Sequence, residues 1–164
     1  MSKPRTDSLS TDLYEQPGHL IRRAQQIAVQ MYYDALGREV TPVQYAILRM
    51  LQDRPGVDQV TLAREVALDT STTAEIAVRL ESRGLITREL LPRRQRRLVL
   101  TAAGAEVLTT LVPGVHRMKQ AMLSSLEGDE QAEFMRLLCK FVHLNSDPSR
   151  TPTVQTQAGE SEED

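Results

Sequence analysis

The chain has 164 residues, 40% of them hydrophobic, and a formal net charge of -2, enough apolar material for one moderate core in one domain. A single cysteine excludes an internal disulfide framework, and no apolar run approaches the ~20 residues needed to span a bilayer. Residues 1–12, MSKPRTDSLSTD, carry no apolar region of signal-peptide type, so a flexible start and a reducing, cytoplasmic setting are expected.

Pro17 starts a helix in which Leu20, Ala24, Ile27, Met31 and Ala35 recur at three- and four-residue steps, with Gly37 as its stop. Thr41-Pro42-Val43-Gln44 fits a capping box with proline at the first helical position. The helix it opens buries Val43, Ile47, Leu48 and Leu51 and ends by Pro55-Gly56. Residues 59–84 read as two helices joined by a very short turn. Thr61 caps the first, whose buried face is Leu62, Ala63 and Val66, and Leu68-Asp69 form the turn. Asp69 or Thr70 caps the second, where a side-chain oxygen satisfies amides that the first helical turn leaves without partners. Ser71, Thr72 and Thr73 form its exposed start, Ile76, Ala77 and Leu80 its anchor, and Gly84 its C-terminal stop.

Residues 85–101, LITRELLPRRQRRLVLT, place two short apolar runs of strand type around a turn carrying Arg93, Arg94, Arg96 and Arg97. From Arg79 to Arg97, seven arginines face only Glu81 and Glu89, a local charge of +5 in a slightly acidic protein. Such a focus of charge points to a polyanion. Thr101 caps a long helix with Leu108, Leu111, Val115, Met118 and Met122 near heptad spacing, kinked at Pro113. Asp129 opens a last helix carrying Phe134, Leu138, Phe141 and Val142. Residues 146–164 hold five acids and one arginine and read as a disordered acidic tail.

Helix, turn, capped helix, strand, basic turn and strand in this order make a winged helix-turn-helix. The second helix enters the DNA major groove, where hydroxyl side chains at a helix start suit phosphates and base edges alike. The wing lies over the adjacent minor groove, whose narrow, negative A·T-rich form favours arginine. The candidate DNA contacts are Ser71, Thr72, Thr73, Arg79, Arg93, Arg94 and Arg96. Ordinary capping is the competing role for the Ser/Thr cluster.

RLESRGLITREL at 79–90 and RRQRRLVLTAAG at 93–104 resemble the MarR-type (multiple antibiotic resistance regulator) transcription factors, and the likeness spans about residues 13 to 145. Members typically end the wing with Asp-x-Arg, five residues, Leu-Thr and a glycine. Arg94, Leu100-Thr101 and Gly104 match this pattern, while Pro92 stands at the usual acidic position and Glu75 at one that is often basic or polar. The resemblance implies a mainly α fold with a small β-hairpin wing, in which residues 13–40 and 102–145 form a helical dimerisation region around a DNA-binding domain at 41–101. PGHLIRRAQQ at 17–26 resembles members that govern aromatic-acid catabolism, nearest the repressors of nicotinate degradation that respond to 6-hydroxynicotinate.

Three long amphipathic helices at the two ends carry more apolar surface than a small winged helix can cover. A second copy is the simplest partner, because a two-fold dimer sets two recognition helices about 34 Å apart on one face of DNA. The expected function is a repressor of palindromic operators, released by a small aromatic carboxylate. The candidate effector contacts are His19, Arg22, Gln26, Tyr33 and Tyr45: arginine clamps a carboxylate through two hydrogen bonds and tyrosines sandwich a ring. Solvated arginines and core-filling tyrosines are the alternative. A redox-gated regulator of the same type and a winged-helix module that docks protein are the rival functions. Cys139, beside Leu138, Phe141 and Val142, is expected to be buried packing rather than a sensor. His116 and His143 lack ligand-spaced neighbours, and no nucleophile with a base or glycine-rich phosphate loop suggests an enzyme, so neither metal nor cofactor is expected.

Overall fold

The computed structural model describes residues 12–90 and 96–146. The expected flexible start before Asp12, the wing tip with Arg93 and Arg94, and the tail after Ser146 lie outside the described residues. A single 3-10 turn at Leu13–Glu15, capped by Asp12, precedes α1 (Pro17–Leu36). Gly37, at φ 79, ends α1 with its amide on the Tyr33 carbonyl, a left-handed geometry that suits a residue without a side chain. The capping box at Thr41 forms as expected: the Gln44 amide donates to Thr41 Oγ1, the Thr41 amide to Gln44 Oε1, and α2 runs Pro42–Asp53.

α3 (Gln59–Glu65) and α4 (Thr70–Ser82) are the helix-turn-helix pair. Its turn is tight because Ala67 takes a left-handed φ of 55. The N-cap of α3 is Asp58, not Thr61. Thr61 sits one turn inside and its hydroxyl donates to Asp58 Oδ2 at 2.6 Å. After Gly84, at φ 70, β1 (Ile86–Leu90) pairs antiparallel with β2 (Arg96–Leu100), with Ile86 opposite Leu100 and Leu90 opposite Arg96. The ladder has a further short member. The Gly56 amide donates to the Leu98 carbonyl and the Leu98 amide to the Val57 carbonyl, both at 3.1 Å, and Asp58 bridges to Arg97.

Thr101 caps α5 (Ala102–Leu123) by accepting from the Gly104 amide, while its own hydroxyl donates to the Gly84 carbonyl at 2.7 Å. One residue thus starts α5 and ties it to the foot of the hairpin. The helix continues through Pro113 to Leu123. The core runs through Ile47, Leu48 and Leu51 of α2, Leu62 of α3, Ala77 and Leu80 of α4, Leu85, Ile86, Leu98, and Leu108 of α5. α1 meets α5 where a Cβ on Gly114 would lie 2.8 Å from the Ala35 carbonyl oxygen, and Arg117 donates to that same oxygen. Only the second half of α1 packs in this way. Leu20, Ile21 and Ile27 remain exposed.

These elements form one unit ending at Ser125, and a second unit begins at Leu126. The second holds α6 (Gly128–Asn145), with Glu127 at the N-cap position: the Glu127 amide donates to Glu130 Oε2 at 2.8 Å, and the Glu130 amide donates to Asp129 Oδ1 at 3.0 Å. None of its side chains is buried. Phe134, Leu138, Phe141 and Val142 stand 43 to 51% exposed along one stripe. Cys139, expected as buried packing, is exposed in this chain. No helix among the described residues is long and apolar enough to cross a membrane.

Candidate nucleic-acid interface and effector cavity

The two helices of the pair begin in the same way. Asp58-Gln59-Val60-Thr61 and Asp69-Thr70-Ser71-Thr72 are both Asp-x-x-Thr. In each, the aspartate accepts the amide of the threonine and the threonine hydroxyl donates back to its second oxygen at 2.6 Å. These bonds to Thr61 and to Thr72 hold both carboxyls below the ordinary aspartate value. A carboxylate at the N-terminus also complements the helix dipole.

The cap fixes which side chains at the start of α4 face outward. Ser71, Glu75 and Arg79 are exposed. Thr72 is half-buried and its hydroxyl proton is committed to Asp69, so it can accept a hydrogen bond from a base edge but not donate to a phosphate. Thr73 is fully buried, and its hydroxyl donates to the Asp69 carbonyl at 2.9 Å. Thr73 is therefore core, not a DNA contact, because it shares the inward face of α4 with Ala77 and Leu80.

The basic focus also divides. Arg83 donates to the Glu39 carbonyl at 3.0 Å. Arg88 is turned onto Glu81, with Nε at 2.7 Å from Oε2. Arg97 lies against Gly56, where a Cβ would collide with its guanidinium. Arg93 and Arg94 lie outside the described residues, and Arg96 enters through its backbone as the ladder partner of Leu90. Arg83 and Arg97 stay exposed and Arg88 is half-buried, a division that the count of arginines in the sequence does not show.

A cavity of about 320 Å³ opens between α2 and α5, lined by Tyr45, Arg49 and Gln52 on one side and Leu108, Val112, Val115 and His116 on the other. Its size suits a small ligand, and its mixture of apolar wall and a few polar groups is that of small-molecule sites. Arg49 contacts Gln52 and forms an ion pair with Asp53 at 3.1 Å. Both partners are on its own helix. Of the five residues expected to hold an effector, Tyr45 alone lines this cavity. His19 packs edge-on against Tyr14, and Tyr33 carries the Arg38 guanidinium 4.8 Å from its ring centre. Arg22 and Gln26 are exposed on the first half of α1. Tyr32 fills the core beside Tyr45 and Tyr33, and its hydroxyl donates to the Val40 carbonyl. Burial, then its two tyrosine neighbours, push its pKa up to about 12. Arg49 and His116 carry no local signal for this cavity, because they lie more than sixty positions apart, on two different helices. Among the described residues no cluster of His, Cys, Asp and Glu could hold a metal ion.

Transcriptional regulator HosA of Escherichia coli O111:H- is 36% identical over 107 residues, which cover 64% of this chain and 79% of HosA. The family model for MarR matches residues 40–97. The chain belongs to the MarR family. Among solved structures, the PcaV transcriptional regulator from Streptomyces coelicolor in complex with its natural ligand is 37% identical with a TM-score of 0.75, over 87% of this chain and 98% of PcaV. BpsR of Bordetella bronchiseptica is 27% identical with a TM-score of 0.75, over 80% and 97% of the two chains. HosA and PcaV are transcriptional regulators, and this chain is a transcriptional regulator of the MarR family. Its winged helix-turn-helix, with a two-stranded hairpin among six helices of the described residues, is that of the family.

Proposed function

We propose that this MarR-family regulator is a repressor that binds palindromic operator DNA as a homodimer and is released by a small aromatic carboxylate such as 6-hydroxynicotinate. The observation that carries the DNA reading is the outward face of α4, where Asp69 caps the helix and leaves Ser71, Glu75 and Arg79 exposed beside the hairpin. Ser71 and Thr72 read base edges, Arg79 contacts the backbone, and Arg93, Arg94 and Arg96 serve the minor groove. The homodimer is supported by the stripe on α6 and by Leu20, Ile21 and Ile27, apolar surface of the kind a second copy covers. His19, Arg22 and Gln26 stand on that same half of α1.

The aromatic-acid reading is supported by relatives: BpsR is a protein whose DNA binding is regulated by 6-hydroxynicotinic acid. In this chain the cavity between α2 and α5 offers the matching chemistry. Tyr45 stacks on a ring and Arg49 meets a carboxylate, taking the role the sequence suggested for Arg22. A ligand weakens DNA affinity only as far as it prefers the arrangement that fits DNA poorly. The cavity runs along α2 from Tyr45 to Gln52, next to the helix end at Asp53, and the chain beyond that end pairs with β2 at Leu98.

The test is titration of 6-hydroxynicotinate and related acids into an operator complex. Release is expected, with Arg49→Ala weakening the acid about tenfold or more, the range for a lost hydrogen bond to a charged group. No release by any acid refutes the effector reading. DNA affinity should also fall steeply between about 50 and 200 mM salt, as neutralised phosphates require and a protein-docking module would not show.

A further inference from the structure

We propose that Glu81 and Arg88 form a brace that sets the wing against the recognition helix, and that the wing's contribution to DNA binding depends on it. The inference rests on the DNA-binding reading above. Glu81 stands in the last turn of α4 and Arg88 is the middle residue of β1. One carboxylate takes three donors: Oε1 accepts the Arg88 amide at 3.3 Å, and Oε2 accepts Nε at 2.7 Å and faces Nη2 at 2.5 Å. Backbone and fork are gripped together, so the strand is fixed in both position and roll.

The guanidinium is withdrawn from any phosphate. Its side chain is only 18% exposed, and Nη1 is buried without a hydrogen-bond partner among the described residues. Ion pairs at the surface contribute little, but a covered cation that loses its carboxylate is left with uncompensated donors. Between the two partners the chain turns at Gly84, which has positive φ and nothing near its missing side chain. That turn is closed by the Gly84 amide on the Glu81 carbonyl and the Leu85 amide on the Leu80 carbonyl, bonds that hold the foot of β1 and stop short of Arg88. The β2 edge of the hairpin is already held by the Gly56 and Val57 bonds to Leu98, and its foot by the Thr101 hydroxyl on Gly84. Glu81 and Arg88 supply the one side-chain tie described between α4 and the strand that leads to the wing tip. Both are therefore positioning residues. Wing arginines can add to affinity only if they reach the minor groove while α4 is seated in the major groove.

The experiment lets the full-length parent select a duplex from a random pool, then compares its Kd for that duplex with one whose flanking A·T positions are scrambled. The ratio reads the wing, and a second ratio, for scrambled central half-sites, reads α4. Arg88→Ala and Glu81→Gln should lower the flank ratio about threefold or more while preserving the half-site ratio. Arg88→Lys should restore little, because an ammonium lacks the fork. A purely structural role would reduce the active fraction on all duplexes equally and leave both ratios unchanged. Glu81→Gln keeps the shape of the side chain and serves if Arg88→Ala does not fold. Unchanged flank ratios in the variants, or a parent indifferent to its flanks, overturn the brace. A parent that selects no duplex at all overturns the DNA reading itself.

Discussion

The start of α4 offers a sharp separation between Thr73, which holds the helix, and Ser71, two positions earlier, which is proposed to read DNA. Thr73→Val removes a fully buried hydroxyl that donates to the Asp69 carbonyl and puts a methyl in its place. The carbonyl keeps the Thr73 amide at 3.0 Å, so no buried acceptor is orphaned. The cost is therefore that of one net hydrogen bond with a partly compensating gain in apolar contact, about 0.5–1 kcal/mol. Ser71→Ala disturbs nothing in the core, because Ser71 is exposed and the Asp69 cap bonds are made to Thr72. Its cost falls on DNA, roughly 1 kcal/mol or more for a lost base contact. Urea unfolding reads the first quantity, and fluorescence anisotropy with a selected duplex and its half-site variants reads the second. Thr73→Val should shift the urea midpoint and leave half-site preference intact, and Ser71→Ala should do the reverse. If Thr73→Val changed base preference while stability stayed constant, the assignment of inward and outward faces on α4 would be wrong.

Other outcomes follow from single contacts. Gly104→Ala drives a methyl into the Leu85 carbonyl oxygen and within 2.6 Å of Leu100 Cδ1. Overpacking against backbone at the Thr101 cap should cost about 2–3 kcal/mol despite the better helix propensity of alanine, and a variant as stable as the parent in thermal unfolding would contradict this packing. Asp58 has its carboxyl held below the ordinary aspartate value of 3.8 by Thr61. A lowered folded-state pKa stabilises fully above that ordinary value and is lost as pH falls through the folded one. The stability gap between the parent and Asp58→Asn should accordingly be wider at pH 7 than at pH 3, and a gap independent of pH would exclude the charged cap. Phe141→Glu puts a charge on the exposed stripe of α6; sedimentation should show a dimeric parent and a smaller variant, and a monomeric parent would remove the homodimer.

How much of this was legible in the sequence depends on the range over which each feature is determined. Pro17, the Thr41 to Gln44 box, Gly84 and Thr101 act within four residues, and each does in the structure what its neighbours imply. The cap of α3 was equally local. Asp58 stands in the same Asp-x-x-Thr pattern as Asp69, eleven positions earlier, so the repeat itself was the signal for Asp58 over Thr61. Thr73 was also readable, since it precedes Ala77 by four and Leu80 by seven, the spacing of one helical face. Hydroxyl chemistry drew attention outward where periodicity pointed inward.

What no local rule could supply were the contacts that join distant segments. Residues 56–58 pair with β2 through two backbone bonds and one bridge, too short a run to show alternation. Arg49 and His116 meet at a cavity because α2 packs on α5, and nothing in either helix alone marks its lining. Arginines at 83, 88 and 97 add to one count of positive charge, yet each meets a different neighbour, a backbone carbonyl, a carboxylate and a glycine, and of the three Arg88 is the half-buried one. Net local charge states how many cations are present. Acceptors elsewhere in the chain bear on which of them remain for a polyanion: Arg88 is committed to Glu81, whereas Arg79 is the exposed arginine on α4, and under the proposed DNA reading its replacement should lower operator affinity where that of Arg83 bears on the loop at Glu39.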